Sequence, residues 1–536
     1  MKRRTFFKTS VWGGTALAAT GLQACAAPAK TGQVASETIS PDFELNEVTI
    51  AGLQQKMESG ELTAAAICQK YLDRIAVVDP QLKAVIELNP DAPAIARQLD
   101  EERKAGKVRG PLHGIPVMIK DNIDTGDQMQ TTAGSLALEG HLAAADAPIV
   151  ARLRAAGAVL LGKTNLSEWA NFRSEMSSSG WSGRGGQTRN PFCLDRSPCG
   201  SSSGSGAAVS ANLCTIAIGT ETNGSIVCPA GVNGVTGLKP TLGLWSRRGI
   251  IPIAHSQDTA GPMCRTVTDA AILLGALAGF DDADAETHLE RGEIFSDYTQ
   301  FLDPQGLKGA RIGIARHMLG FNPLVDQLFA RAVETLKNQG AEIVEEVKFE
   351  NARNWGAPSY EVLLYEFKAD LNRYLTMHPA APVKNLEEII AFNEAHAGQE
   401  MPWFAQDIFK AAQAKGDLTT KEYLAALADA KRFSQKEGID AVMQQHRLDA
   451  VIAATNGPAW TIDWVNGDHF SGSSSSPAAI SGYPNISVPM GFVHGLPVGI
   501  SLFGKAWSEP VLLRLAFAYE QATQHRKAPA FSPTLG

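Results

Sequence analysis

From Thr63 onward, Ala64, Ile67, Cys68, Tyr71, Leu72 and Ile75 recur at helical spacing, giving one apolar face that Thr63 can cap. A second amphipathic helix is predicted over Ala92–Lys104 and ends at Gly106. The unbroken apolar run Gly114–Ile119 predicts a short buried strand. A helix follows over Pro148–Ala156, stopped by Gly157, and then a strand over Ala158–Leu161. The same alternation returns as a strand at Arg311–Ala315, a helix at Val325–Leu336 and a strand at Ala341–Val347. Residues 350–445 instead read as helices alone, anchored by Leu363, Leu364, Phe367, Ile389, Ile390 and Phe392. Strands resume at Ala450–Ala454, Asn485–Pro489 and Leu496–Phe503. Strand and helix signals in alternation imply an α/β layered fold with much parallel pairing. No linker interrupts the pattern, and no repeat of 20–50 residues is evident.

The first residues follow a different pattern. Lys2-Arg3-Arg4-Thr5-Phe6-Phe7-Lys8 precedes a weakly apolar stretch, Val11–Leu22, diluted by Gly13, Gly14 and Gly21. This resembles a twin-arginine export signal over residues 1–24. Leu22-Gln23-Ala24-Cys25 resembles a lipoprotein cleavage box, which makes Cys25 a lipidated N-terminus and attaches the protein to a membrane. Cleavage by ordinary signal peptidase near Cys25 or Ala27 is the alternative and leaves a soluble periplasmic protein. Residues 25–44 are then a polar tether.

The full chain has 536 residues, which at about 150 residues per domain suggests three or four domains. The absence of linkers favours one large unit over 45–530 instead. A hydrophobic fraction of 44% excludes a disordered chain, and no 18-residue apolar stretch free of charge marks a polytopic membrane protein. Removing residues 1–24, which carry four basic residues and no acid, leaves 512 residues with a formal charge of −12. That balance argues against a nucleic-acid partner. Beyond Cys25, six cysteines remain at 68, 193, 199, 214, 228 and 264. They allow fifteen disulfide connectivities, and neither their spacing nor that of the histidines suggests zinc. No pattern indicates an oligomeric state.

Three segments carry candidate chemistry. Residues 197–206, Ser-Pro-Cys-Gly-Ser-Ser-Ser-Gly-Ser-Gly, run directly into an Ala-rich block, Ala207–Leu213, and the apolar run Cys214–Ile218. A flexible linker does not lie inside an apolar block, so the glycines and serines are better read as backbone and hydroxyls brought close to a ligand. Gly200–Gly204 also matches G-x-S-x-G, but turn-forming residues precede it where a nucleophile elbow requires a strand. The second segment is Gly219–Pro229, where Thr222, Asn223, Gly224 and Ser225 can converge several N–H groups on one point, as in an oxyanion hole. The third is Lys120, which ends the apolar run at 115–119. An ordinary lysine is neutral in roughly one of a few thousand molecules at pH 7, so a lysine base requires burial to lower its pKa. Asp121 opposes that shift, but along an extended strand its side chain points to the other face. His113, His255 and His469 lack a positioned acid for a Ser-His arrangement.

Taken with Gly237-Leu238-Lys239-Pro240-Thr241, Arg189-Asn190-Pro191, Gln257–Pro262 and Gly482–Gly491, these segments resemble the amidase signature family across roughly residues 45–525. Thr222–Pro229 and Gly185–Pro191 are most similar to its bacterial peptide amidases. The resemblance implies an amidase signature fold: a single large domain with a mixed central β-sheet flanked by helices. It implies a triad of Ser225 as nucleophile, Ser201 on a cis peptide as relay, and neutral Lys120 as base. It also implies oxyanion N–H groups at 222–225 and support from Thr220. The expected reaction is hydrolysis of carboxamides, above all the C-terminal amides of peptides, to ammonia and free acid through an acyl-enzyme, with a small amide or amidated peptide as substrate and no metal and no cofactor. Ser178 in the loop 176–179, together with Asn456, Trp460 and Trp464, are the expected substrate-binding residues. An amidase or esterase for aryl or fatty amides, and a non-catalytic binding protein on the same scaffold, are the alternatives. Two positions depart from the commoner family pattern. Asn223 replaces a frequent Gly, and Val227 replaces an Arg found in many members, the glutaminyl-tRNA-forming amidotransferases among them. Loss of that Arg predicts that no buried anion lies beside it.

Overall fold

In the computed structural model, residues 43–288 and 294–535 are described. The proposed export signal, Cys25 and nearly all of the tether lie outside them. Within the described chain the apolar runs become strands β1 (Val85–Leu88), β2 (Pro116–Lys120), β3 (Val159–Thr164), β4 (Trp181–Ser182), β5 (Gly186–Gln187), β6 (Ile216–Glu221) and β7 (Thr236–Lys239). They continue as β8 (Thr259–Cys264), β9 (Arg311–Ile314), β10 (Glu342–Val344), β11 (Ala450–Ala454), β12 (Asn485–Val493) and β13 (Leu496–Phe503). β4 and β5 form a separate small antiparallel pair. The other eleven make one sheet in the order β1-β3-β2-β6-β8-β7-β12-β13-β11-β9-β10. Pairing is parallel for β2 with β3 and β6, and for β9 with β10 and β11. The remaining neighbours run antiparallel. The sheet is mixed, and helices flank it in a single large α/β domain.

Helices α1 (Ile50–Glu58), α2 (Ala64–Leu82), α3 (Ala92–Lys104) and α4 (Pro148–Ala155) precede the Gly/Ser segment at 197–206. Thr63 caps α2, its hydroxyl accepting from the Ala66 N–H at 3.1 Å. The Asp100 carboxylate receives the N–H groups of Ala64 and Ala65 at 2.6 and 3.0 Å. Two acceptors thus meet donors that the first helical turn leaves free.

Helix α5 (Ser203–Ser210) corrects the sequence reading, in which the Gly/Ser segment runs as a loop to 206. Every residue of α5 is buried. Its composition is set by close packing rather than helix propensity: a Cβ at Gly204 would stand 2.3 Å from the Ala84 carbonyl oxygen. A short helix α6 (Val227–Val232) follows β6, and α7 (Val267–Leu277) and α8 (Pro323–Asn338) pack further along the sheet. β8 carries no apolar signature because Gly261 and Pro262 sit within it, held between β6 and β7. β3 outruns the predicted Ala158–Leu161 because Gly162, Lys163 and Thr164, though small or polar, are buried in the sheet.

Between β10 and β11 the chain is helical, beginning with α9 (Gly356–Met377) and continuing through Leu386–Ala395, Asp407–Gln413, Lys421–Lys431 and Asp440–His446. Phe367, Leu371, Leu386, Ile389 and Phe409 from this section bury against Ala137, Trp169 and Ile251 in one apolar cluster.

Candidate active site

Lys120 is the last residue of β2, in the interior of the sheet beside β6, and its side chain is fully buried. Burial pulls its pKa from the ordinary lysine range to about 7, against the opposing charges of Asp258 and Glu221. Asp121 lies on the other face, where its carboxylate meets Thr132, the Gly134 N–H and Arg184. The Lys120 Nζ is 2.7 Å from Ser201 Oγ, 2.9 Å from Thr220 Oγ1, 3.2 Å from Ser202 Oγ and 3.3 Å from the Thr220 carbonyl. Four oxygens, two from the loop before α5 and two from Thr220 of β6, therefore surround one nitrogen.

Those segments are positioned by the ends of β6 and α5. The Gly200–Ser201 peptide is cis. The Ser201 carbonyl accepts from the Ser167 N–H at 3.1 Å. Ser202, singled out by no sequence argument, ties the loops together. Its hydroxyl donates to the Thr220 carbonyl at 3.0 Å and accepts from the Thr220 N–H at 3.1 Å, and its N–H donates to the Ser225 carbonyl at 3.2 Å. Asn122 donates to Thr220 Oγ1 at 3.1 Å, so Thr220 contacts the lysine rather than Ser201.

The turn 222–225 leaves β6 and enters α6. Gly224 has φ +86°, a conformation that suits glycine. Thr222 donates to Asp258 Oδ1 at 2.6 Å, while Asp258 Oδ2 accepts from the N–H groups of Ile253 and Ala254. Burial raises Asp258 to about 6. The exposed Asn223 accepts from the Ser475 hydroxyl at 2.6 Å. Beyond the turn, the N–H groups of Ile226, Val227 and Cys228 are taken by Glu221 and the Gly224 carbonyl. No comparable bond claims those of Asn223, Gly224 and Ser225 among the described residues. Ser225 itself is buried to 8% exposure at this turn.

The Val227 expectation is corrected here. A buried carboxyl group does lie beside the position: Glu221, 1% exposed, accepts from the Ile226 and Val227 N–H groups at 2.8 and 3.1 Å. Its partners are backbone donors at the start of α6, not a side chain at position 227.

Cys199 and Cys228 form a disulfide that joins the loop before Ser201 to the helix after Ser225. The other described cysteines, Cys68, Cys193, Cys214 and Cys264, are buried thiols. Trp460 packs beside this disulfide with Val232 and Leu496, and its indole N–H donates to Asp468 at 2.9 Å. Asn456 is fully buried against Gly231 of α6, its amide donating to the Gly457 carbonyl. Ser178 is buried too, and its carbonyl accepts from the Trp181 N–H at 3.2 Å. Trp464 donates to Gln187 and stacks on Trp403 with ring centroids 4.6 Å apart. Of these side chains, Trp460 packs on the disulfide side of the site. On its other side Asn122, Thr220, Thr222, Asp258 and His255 line a cavity of about 450 Å³. His255 has the acid that the sequence reading did not find, but both ring nitrogens face carboxylates, Asp370 at 2.8 Å and Glu366 at 3.4 Å. It therefore presents no nitrogen to a serine. His113 spends its Nε2 on the Leu99 carbonyl.

The arrangement holds a buried, low-pKa amine against a serine hydroxyl, next to a turn with unclaimed N–H groups, which is equipment for acyl transfer. Comparison with known proteins agrees. The Amidase family model matches residues 66–513. A chain described as "Probable amidase" from Arabidopsis thaliana is 42% identical over 509 residues, covering 93% of this chain and 94% of the relative. A glutamyl-tRNA(Gln) amidotransferase chain from Symbiobacterium thermophilum is 36% identical over 494 residues, covering 90% and 98%. The crystal structure of native peptide amidase from Stenotrophomonas maltophilia superposes with a TM-score of 0.87 at 52% identity, covering 91% of this chain and all of that one. Fold, buried lysine–serine contact and similarity along nearly the whole chain converge, and the protein belongs to the amidase signature family of amide-hydrolysing enzymes.

Proposed function

We propose that the enzyme removes ammonia from C-terminal carboxamides of peptides through a Ser225–Ser201–Lys120 triad. The contact of 2.7 Å between the buried Lys120 amine and Ser201 Oγ carries this reading. A neutral amine keeps one lone pair, which takes the Ser201 proton as Ser201 takes the proton of Ser225. Ser225 Oγ then bonds to the amide carbon, and the oxyanion is held by N–H groups of the 222–225 turn. On collapse the C–N bond breaks, and the Lys120 proton returns through Ser201 to the departing nitrogen as ammonia forms. Water attacks the serine ester by the same proton path, releasing the acid. Thr220 holds the lysine in place. Ser178, Asn456 and Trp460 shape the substrate side.

The peptide-amide assignment is supported by the 52% identity to the peptide amidase of S. maltophilia. Its test is to incubate the enzyme with amidated peptides, aryl amides and fatty amides while measuring ammonia and acid. Preferential turnover of peptide amides is expected. Release from aryl or fatty amides alone rejects the substrate, and no release from any amide rejects the triad as catalytic machinery. We further propose export through the twin-arginine-like segment with a lipid on Cys25, supported by the motifs at residues 2–8 and 22–25. Mass spectrometry of the mature N-terminus decides between a lipidated Cys25 and a free terminus.

A further inference from the structure

Three side chains from distant segments converge a short way beyond the catalytic strand. Asp124 lies four residues after Lys120, His141 follows the helical turn Leu136–Leu138, and His378 ends α9. One ligand atom from each lies within 4.8 Å of the others. The His378 Nδ1 is 2.8 Å from the Tyr374 carbonyl, which can only accept, so this nitrogen carries a hydrogen. The His378 Nε2 then faces Asp124 Oδ2 at 2.9 Å. The other Asp124 oxygen accepts from the Tyr374 hydroxyl at 2.7 Å. A ring nitrogen and a carboxylate oxygen at this distance need either a proton, on the ring or on the carboxyl, or a metal ion between them.

His141 separates the two. It is 1% exposed, and neither Nδ1 nor Nε2 has a hydrogen-bond partner. Its ring stands perpendicular to that of His378 with centroids 5.2 Å apart. A proton shared by His378 and Asp124 leaves both buried ring nitrogens of His141 unsatisfied, at a cost, whereas a metal ion engages all three residues and leaves only one of those nitrogens without a partner. The surroundings suit a metal as well. The far ring nitrogen of His378 is fixed by a carbonyl and the far oxygen of Asp124 by a phenol, the kind of outer contacts that orient metal ligands. The similar grouping of His255, Glu366 and Asp370 has no such orphan, since its atoms are paired with one another and with Tyr423, Ser256 and Arg373.

We propose that Asp124, His141 and His378 bind one divalent transition-metal ion, of which zinc is the representative, as a pin between the segment after β2 and the end of α9. The amine of Lys163, buried nearby and bonded to the Ile123 carbonyl at 2.6 Å and Thr131 at 3.1 Å, opposes a cation held by charge alone. The site therefore selects a metal that bonds imidazole nitrogen over calcium or magnesium. Two histidines and a carboxylate form a familiar three-ligand set for zinc, with water as the fourth ligand.

The test uses untagged full chain, stripped with chelator and dialysed against zinc or cobalt. About one zinc per chain by elemental mass spectrometry, visible cobalt d–d bands and a zinc-dependent rise in Tm are expected. His141→Phe and His378→Gln should lose the bound metal and the Tm response. Wild-type chain that retains less than about a tenth of an equivalent and shows no cobalt bands overturns the proposal, as does full retention by a folded His141→Phe variant. The cobalt spectrum of the wild type keeps the test decisive if a variant fails to fold. Amide turnover is not its readout, so it stands apart from the peptide-amide reading.

Discussion

The Lys120 amine has four oxygen neighbours and no carboxylate in direct contact, so its protonation is governed by burial. In the proposed mechanism, which needs the neutral amine, its pKa of about 7 sets the pH dependence. Below pH 7, kcat/KM should fall about tenfold per pH unit, and above it the profile should level off. A profile flat from pH 5 to 9 would remove Lys120 as the base. The same shift acts on stability. Between about 7 and the ordinary lysine value the unfolded chain binds the extra proton, so this residue makes stability rise with pH across that window. Ser225→Ala should lower amide hydrolysis by about 10⁴-fold or more with an unchanged circular dichroism spectrum. Lys120, Ser201 and Ser225 were legible as candidates because each stands in a motif of the chain. Ser202, Asn122 and Asp258 were not given roles, because a serine among serines or an acid within a motif acquires one only when a second loop packs on it. The buried Glu221 was missed for a related reason: its partners are backbone N–H groups, which have no letter in the sequence.

At the scale of elements, strands of uniform apolar character were readable, as at β2, β11 and β13, and so was the cap of α2. Helix α5 and strand β8 were not, because packing against neighbouring backbone overrides the turn preference of their Gly, Ser and Pro residues. Thr63→Ala should cost about 1 kcal/mol in chemical denaturation, through loss of one capping acceptor. The Cys199–Cys228 bridge joins residues 29 positions apart, and removing it as a double Ser variant should cost about 3–4 kcal/mol by loop entropy. Because the bridge ties the Ser201 loop to α6, amide turnover should fall in that variant at temperatures well below its Tm. Unchanged turnover would show that hydrogen bonds through Ser202 suffice to align the loops.

For the molecule as a whole, chain length pointed to several domains, yet one sheet runs through the entire described unit. Composition cannot distinguish these cases, since an eleven-stranded sheet and three small sheets need similar apolar content. All proposed triad residues lie between 120 and 225, inside the compact unit that starts at Ser40. A chain beginning at residue 43 should therefore keep the kcat/KM of the longer form on a soluble amide, measured side by side. A loss of more than about tenfold would assign residues 1–42 a part in catalysis.

The order of the sheet has a further consequence, for synthesis. Strands β1, β3, β2, β6, β8 and β7, all drawn from residues 85–264, occupy one side, and β12, β13, β11, β9 and β10 occupy the other. On the ribosome the first side can pair internally while β7 still lacks its neighbour β12, which emerges roughly 250 residues later. At about 5–20 residues per second, that open edge waits for some tens of seconds. During this interval the half-sheet bearing Lys120, Ser201 and Ser225 offers unpaired backbone groups to any other nascent chain. The proposed triad therefore sits in the half of the protein most in need of a chaperone, and that half cannot be trimmed into a minimal enzyme without exposing the same edge permanently.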